Sequence, residues 1–344
     1  MASATASRMR TLDALRGLAA VSVVFIHTVF WSGAAYAPPL SRELALLIDV
    51  PVFFFLAGWG QGLRRRTPGE GAAAFDGLLR LYLDFALFCG AVVLLGIAMG
   101  RAGLHELAAL LTLRSFQSPP FELVGGSAWF VPVYLCALGM LIATLGWREA
   151  PSRRRFFAIA FMAAVAVWIV AGLGRTVPFY LGIAALGWFI ARRGFEHPTL
   201  RWLAALLGVL VAWIALTGGY AGGGNEGARL QQAKFPPGPL YLAASLPSLM
   251  LCVVAARAGW SWAPLEWIGR NAIWVYFAQG ISGSLLYKAV AMSDGWPTAP
   301  RLAAMFALNL ALALAIAPGI RRLVMPLRNR LMSLRPTRIT ATDP

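Results

Sequence analysis

Long apolar runs recur along the whole chain and constrain its fold more than any other feature. Each is roughly 17–25 residues long, which is enough for a helix to cross a bilayer core of about 30 Å. The 344 residues include 13% charged side chains and have a mean hydropathy of +0.68, whereas soluble domains carry about 25% charged residues. Because the runs are continuous rather than short and alternating, they exclude a transmembrane β-barrel. We therefore predict an all-α polytopic integral membrane protein.

The apolar runs predict ten spans within one transmembrane domain over residues 1–344. The predicted spans lie at about 12–32, 44–63, 77–99, 127–147, 156–173, 177–192, 201–217, 239–256, 267–290 and 301–320, and a short cytoplasmic tail follows at about 321–344. Basic residues concentrate in every second connection, as in "RRR" at 64–66 and "REAPSRRR" at 148–155. By the positive-inside rule, this alternation predicts that both termini are cytoplasmic and that the protein lies in the inner, cytoplasmic membrane.

The charge pattern also argues against nucleic acid as a partner. The net charge of +16 is distributed between the spans rather than along one face, so it reflects topology. The three cysteines fall in apolar runs without metal-ligand spacing, and we predict no metal site. The segment "GAAYA" at 33–37 is similar to a signal-peptidase site. The length of the preceding helical segment and the presence of Asp13 favour an uncleaved first span instead.

The first span contains three ionisable residues, Asp13, Arg16 and His27. In a helix, Arg16 and His27 lie within about 20° of each other and about 16 Å apart along the axis. Asp13 precedes Arg16 by three residues and lies near the same stripe. Ionisable groups at membrane depth usually face the bundle interior or a wet cavity and are functional candidates. The structural alternatives are snorkelling for Arg16 and an interhelical hydrogen bond for His27.

The stretch "LDALRGLAAVSVVFIH" at 12–27, with an Arg, ten intervening residues and a His, resembles the opening of the membrane-bound acyltransferase-3 family. Three later segments are similar to motifs of that family: "DVPVFFFLAGWGQG" at 49–62, "SAWFVPVYL" at 127–135 and "WIGRNAIWVYFAQ" at 267–279. The chain departs from the family pattern at three positions. Ala57 replaces a usual Ser, Gly77 replaces the first of two arginines of which Arg80 is kept, and Gln279 replaces a second His.

The resemblance implies transfer of an acyl group, often acetyl, from cytoplasmic acyl-CoA to an acceptor such as a hydroxyl of a surface glycan. Acetyl-CoA is then a donor substrate, and no tightly bound cofactor is expected. Residue chemistry supports this interpretation, because the neutral imidazole of His27 suits a general base or a transient acyl carrier. The Arg16 guanidinium suits the phosphates of CoA. Arg80 is either a second phosphate ligand or a positive-inside anchor.

Three further residues are candidates with open alternatives. Asp13 either orients Arg16 or favours the helix N-terminus. Asp49 either orients His27 or starts the second span as a helix-capping acid. Lys234, in "KFPP" at 234–237, is expected in an outer loop near the path of the acceptor. Asp49 and Lys234 are therefore the predicted substrate-binding residues.

Two other functions remain open on the sequence alone. Intramembrane Arg and His also suit a transporter or exporter of a glycan or small molecule without acyl-transfer activity, although we find no internal repeat of the kind that builds many carriers. A non-catalytic scaffold for a polysaccharide synthase is the third hypothesis. The expected partners are the lipid bilayer, acyl-CoA, a carbohydrate acceptor and polysaccharide-biosynthesis machinery. The lack of P-loop, H-E-x-x-H and G-x-S-x-G motifs argues against ATP hydrolysis, zinc proteolysis and hydrolase-type catalysis.

Overall fold

The computed structural model describes residues 2–63, 70–146, 176–193 and 229–334, and every regular element in these ranges is helical. The first helices are α1 (Ala2–His27), which continues as a π-helix (Thr28–Ser32), then α2 (Pro39–Ala45), α3 (Val50–Leu63), α4 (Glu70–Ala98), α5 (Leu104–Leu111), α6 (Glu122–Ser127) and α7 (Phe130–Gly146). The later helices are α8 (Thr176–Arg193), α9 (Arg229–Ala233), α10 (Pro239–Arg257), α11 (Ala263–Arg270), α12 (Ala272–Ala289), a 3₁₀ turn (Val290–Ser293) and α13 (Thr298–Ser333). Proline in the first turn of α2, α10 and α11 costs no helical hydrogen bond.

Five helical stretches in the described ranges are long and apolar enough to cross a membrane. They are Met9–Ser32, Ala73–Ala98, Glu122–Thr144, Pro239–Arg257 and Thr298–Ser333. The predicted all-α, multi-pass membrane architecture is thereby confirmed. The total of ten spans and the cytoplasmic location of the termini stay predictions, and the predicted spans at 156–173 and 201–217 lie outside the described residues.

Three predicted spans differ from the helices that the structure contains. The span predicted at 44–63 begins as a helix only at Val50, because residues 46–49 form a turn. The span predicted at 267–290 is broken at Asn271, whose side-chain amide donates to the Trp267 carbonyl at 2.8 Å and competes with the helical backbone. The last helix does not stop near residue 320 but continues through the predicted tail as far as Ser333.

Glycines bring two pairs of helices into backbone contact. A Cβ atom at Gly17 of α1 would lie 2.0 Å from the Leu265 carbonyl oxygen of α11, and one at Gly269 would lie 1.7 Å from the Asp13 carbonyl oxygen. A Cβ at Gly58 of α3 would likewise lie 1.8 Å from the Ala184 carbonyl oxygen of α8. Small residues permit such close crossings in membrane proteins. The middle of α1, where Asp13 and Arg16 lie, is therefore fixed against α11.

Helix α1 lies between two large apolar clusters. Leu12, Leu15 and Ala19 belong to the first cluster, which includes α3, α7, α8 and α10. Ala14, Ala20 and Val24 belong to the second, which includes α4, α12 and α13. The three cysteines, Cys89, Cys136 and Cys252, are free and buried within these clusters. Since α1 is packed on both sides, its polar stripe faces the interior of the bundle rather than lipid.

Candidate functional site

A cavity of about 150 Å³ lies beside the polar stripe of α1. Its lining residues come from α1, α3, α4, α6, α7, α12 and the segments before α3, α7 and α10. They include Arg16, His27, Asp49, Phe53, Leu81, Ser127, Trp129, Phe130, Tyr134, Lys234, Ala272, Ile273 and Tyr276. Arg16 and His27 therefore border the same cavity, as the helical spacing predicts. Most of the other lining side chains are apolar or aromatic, as is usual for small-molecule sites.

The imidazole of His27 contacts Gln279 of α12. Its Nδ1 atom lies 2.6 Å from the Gln279 Oε1 atom, and Gln279 is completely buried. With the Gln279 amide in this orientation, its oxygen accepts from Nδ1–H, and the lone pair of the neutral imidazole lies on Nε2. The residue that replaces an expected histidine is thus itself the partner of His27. The sequence shows this position as a departure from a pattern but gives no sign of the contact.

The backbone changes from α-helix to π-helix immediately after His27. A series of buried side-chain hydrogen bonds connects this point to α12 and α13. Asn309 of α13 donates from Nδ2 to Thr28 Oγ1 at 2.9 Å, and Ser282 of α12 donates to Asn309 Oδ1 at 2.6 Å. Such π-turns often mark functional sites. Sequence analysis missed Asn309, for which a lone Asn in an apolar run is the available signal.

Arg16 and Asp13 form the ion pair that their spacing predicts. The Arg16 Nη1 atom lies 3.0 Å from Asp13 Oδ1, with 28% and 17% of the two side chains exposed. A Cβ atom at Gly60 would lie 3.1 Å from Arg16 Nη2, so glycine leaves room for the guanidinium. Asp13 therefore lies where it can orient Arg16 towards the cavity.

The two predicted substrate-binding residues contact each other. Lys234 Nζ lies 2.7 Å from Asp49 Oδ2, and the side chains are only 6% and 1% exposed. The hydroxyl of Tyr241 also donates to Asp49 Oδ2 at 2.7 Å. The ammonium group of Lys234 lies 5.3 Å from the ring centroid of Trp129. Asp49 is thus the partner of Lys234 and not of His27, whose Nδ1 is taken by Gln279.

Arg80 lies on the exposed surface of α4 and does not line the cavity. This placement favours the anchor alternative over phosphate binding. One turn further along α4, the buried Asp84 accepts two hydrogen bonds from Arg328 Nη1, at 3.2 Å and 2.9 Å. The Asp84–Arg328 pair ties α4 to the extended end of α13. Sequence analysis assigned no role to Asp84, because its partner lies more than two hundred residues away.

Among the described residues, no group of three or more His, Cys, Asp and Glu side chains could hold a metal ion. The site consists instead of a histidine with a free Nε2, an arginine about 16 Å away along one helix, and a neutralised buried ion pair. This arrangement can accept a proton at one end of a cavity and bind an anion at the other.

Comparisons with known proteins bear on the family of the chain. No solved structure matches the chain. The glutamate/gamma-aminobutyrate antiporter of Lactococcus lactis subsp. lactis (strain IL1403) is 27% identical over 169 residues, which is 45% of this chain. The chain covers only 32% of that antiporter's length. A family model described as an acyltransferase domain matches residues 9–318, nearly the whole chain, and includes Arg16, His27 and Gln279. The chain belongs to the acyltransferase-3 family.

Proposed function

We propose that the protein transfers an acyl group, acetyl in the simplest case, from cytoplasmic acyl-CoA to a hydroxyl of an extracytoplasmic carbohydrate. Family membership supports membrane acyl transfer to a carbohydrate or similar acceptor. The observation that carries the proposal is that Arg16 and His27 line the same cavity. A donor bound at one end and an acceptor bound at the other would meet beside the imidazole.

His27 is the general base in this proposal. The Gln279 oxygen accepts from Nδ1, so the Nε2 lone pair takes the proton of the acceptor hydroxyl. The hydroxyl oxygen attacks the thioester carbonyl carbon, the carbon–sulfur bond breaks, and the CoA thiolate leaves. The proton on Nε2 then passes to the thiolate, which gives an ester and free CoA-SH. A two-step reaction through an acyl-imidazole uses the same atoms.

Arg16 is the donor-binding residue. A guanidinium binds phosphate oxygens in a fork, and Asp13 holds that of Arg16 at the edge of the cavity. Leu81, Ala272 and Ile273 supply apolar walls nearby. The axial distance of about 16 Å between Arg16 and His27 is comparable to the reach of a pantetheine arm. The nucleotide can therefore stay at the cytoplasmic boundary while the thioester reaches His27.

The acceptor end of the cavity contains Trp129, Asp49 and Lys234. An aromatic face beside charged hydrogen-bonding groups suits a sugar ring, since the ring offers C–H faces and hydroxyl edges. We propose a surface glycan, such as an exopolysaccharide, as the acceptor and the inner membrane as the location. Polysaccharide-biosynthesis machinery would supply that acceptor.

The transporter hypothesis gains no specific support. The similarity to an antiporter covers less than half of this chain and about a third of that protein. The acyltransferase family, by contrast, covers residues 9–318.

The decisive experiment measures ester-linked acyl groups in the envelope and secreted glycans of a deletion strain. The strain is complemented with wild type, His27→Ala or His105→Ala, and the membrane level of each protein is checked. His105 is the matched control, because its side chain is 79% exposed and lies outside the cavity. We expect wild type and His105→Ala to restore the esters and His27→Ala to fail. Equal ester content in all strains would reject a glycan acceptor.

A second assay separates enzyme, carrier and scaffold. Purified protein is given acyl-CoA and candidate acceptors, and CoA release is followed. Release that depends on His27 supports the enzyme whatever the acceptor. Transport that is lost in His27→Ala without any acyl-CoA consumption would establish the carrier instead. If His27→Ala is silent in every assay, the scaffold hypothesis is favoured.

A further inference from the structure

A second concave surface, which we call the Trp–Arg groove, lies between α11, the start of α12 and the second half of α13. It has a volume of about 440 Å³. Its polar and aromatic lining consists of Trp267, Asn271, Trp274, Arg321 and Arg322. Neither the donor route nor the proton-transfer chemistry proposed above uses any of these residues.

The groove is on the opposite side of α12 from the cavity that contains His27. Ala272 and Ile273 line that cavity, whereas Asn271 and Trp274 line the groove. A donor molecule that occupies the cavity therefore cannot also place its phosphates in the groove without passing around α12. The occupant of the groove must come from another direction.

The groove lies at the membrane boundary to which Arg16 belongs. Asn309 of α13 contacts Thr28, the residue after His27, so Asn309 and His27 lie at a similar depth in the helix bundle. Arg321 follows Asn309 by twelve residues, or about 18 Å along the helix, towards the amino-terminal end of α1. By the predicted topology this is the cytoplasmic boundary, where the inner-leaflet headgroups lie.

The groove carries two guanidinium groups and no carboxylate among its lining residues. Arg321 Nη1 donates to Asn271 Oδ1 at 2.9 Å, so a neutral amide holds this side chain in place. Within the described part of the chain, Arg322 forms no hydrogen bond or ion pair. The nearby carboxylate of Glu266 lies 3.5 Å from Arg270 Nη1 and is already paired. The two positive charges of the groove are therefore available to an anion.

The surroundings of the groove are apolar and face outward. Trp267 is 43% exposed, and the α13 wall of the groove includes the apolar side chains Ala317, Pro318, Met325 and Pro326. Indole rings prefer the boundary between headgroups and acyl chains. A ligand that suits both features has a phosphate for the guanidinium groups and an apolar tail for this apolar lining.

We propose that the Trp–Arg groove binds the headgroup phosphate of an anionic phospholipid from the adjacent leaflet. Basic pockets between transmembrane helices on the cytoplasmic side recognise such headgroups, and arginine binds phosphate oxygens in a fork. A soluble nucleotide offers the same phosphate chemistry. The apolar lining beside the arginines, the exposed Trp267 and the position behind α12 favour the phospholipid.

The test uses the purified full-length protein in detergent micelles, titrated with fluorescent phosphatidylglycerol. Arg322→Gln is the informative variant, because within the described residues this arginine forms no hydrogen bond or ion pair that its loss would disturb. Arg330→Gln is the matched control, since Arg330 is exposed on the same helix, outside the groove. We expect wild type and Arg330→Gln to bind equally and Arg322→Gln to bind about tenfold more weakly, the effect of one lost charge-assisted contact.

Two competition arms identify the source of the phosphate. Unlabelled phosphatidylglycerol should displace the probe, whereas phosphatidylcholine and CoA should not. If Arg322→Gln and Arg330→Gln weaken binding equally, the binding depends on general surface charge rather than on the groove, and the proposal is overturned. Displacement by CoA would assign the groove to a nucleotide and overturn it as well. Because neither donor nor acceptor is turned over, failure of the acyl-transfer proposal leaves this test unaffected.

Discussion

His27 Nδ1 and Gln279 Oε1 lie 2.6 Å apart, and they join α1 to α12 beside the cavity. The contact gives His27 a neutral amide as its partner. Gln279 does not line the cavity itself. Its effect on catalysis should therefore act through the tautomer and orientation of His27.

Replacement of Gln279 by Leu should lower kcat for acyl transfer and leave KM for both substrates nearly unchanged. Leucine removes the acceptor for Nδ1–H at similar volume, so the imidazole loses its fixed tautomer. We expect a loss of about 10-fold to 10²-fold, at or below the low end of the range for general acid–base catalysis. Steady-state kinetics of the purified protein provide the measurement. Gln279→Glu keeps an acceptor oxygen and should recover part of the rate; equal loss in both variants would contradict a tautomer-fixing role.

Replacement of Arg16 by Gln should raise KM for acyl-CoA by about tenfold, the effect of about 1.4 kcal/mol of lost phosphate binding. Arg80→Gln removes the same charge from an exposed position outside the cavity and should leave this KM unchanged. Initial rates at varied acyl-CoA concentration distinguish the two. An effect of Arg80→Gln as large as that of Arg16→Gln would place the donor phosphates elsewhere.

Breaking the Asp49–Lys234 pair from one side should destabilise the protein more than removing both charges. Either Asp49→Asn or Lys234→Met leaves one buried charge without its partner, which costs about 3–5 kcal/mol. The double variant leaves no charge behind and should be closer to wild type. Thermal unfolding in detergent gives the comparison. Asp294→Asn is the control, because Asp294 is 71% exposed in its ion pair with Arg301 and should cost at most about 1 kcal/mol.

An alanine at Gly269 should destabilise the protein by about 1–3 kcal/mol, since its Cβ would meet the Asp13 carbonyl oxygen. The same change at Gly319 of α13 meets nothing within 4 Å and should be neutral or slightly stabilising. Thermal unfolding of the two variants is the test. Similar melting temperatures would show that α1 and α11 adjust freely.

The shared face of Arg16 and His27 is predictable because helical geometry alone relates residues within one span. Contacts between different spans cannot be predicted in this way, since they depend on which helices pack together. Asp49 illustrates the difference: the sequence places it near the start of a helix, but its partner Lys234 follows 185 residues later. Gln279 is visible in the sequence only as a departure from a pattern.

The break between α11 and α12 at Asn271 could not be predicted from the apolar composition of this segment. The segment at 267–290 is apolar enough to be read as one span, and a single polar side chain decides otherwise. The length of α13 was not predicted because charged residues follow its apolar part. Its basic residues indicate the end of a span, yet Arg328 bound to Asp84 belongs to the same continuous helix.

The glycine contacts have a mechanical consequence. Helices that touch backbone to backbone cannot slide past each other without a clash, so α1 moves together with α11, and α3 moves together with α8. His27 belongs to the first of these pairs and Phe53 to the second, and both line the cavity. A rotation of one pair against the other would therefore change the width of the cavity between His27 and Phe53.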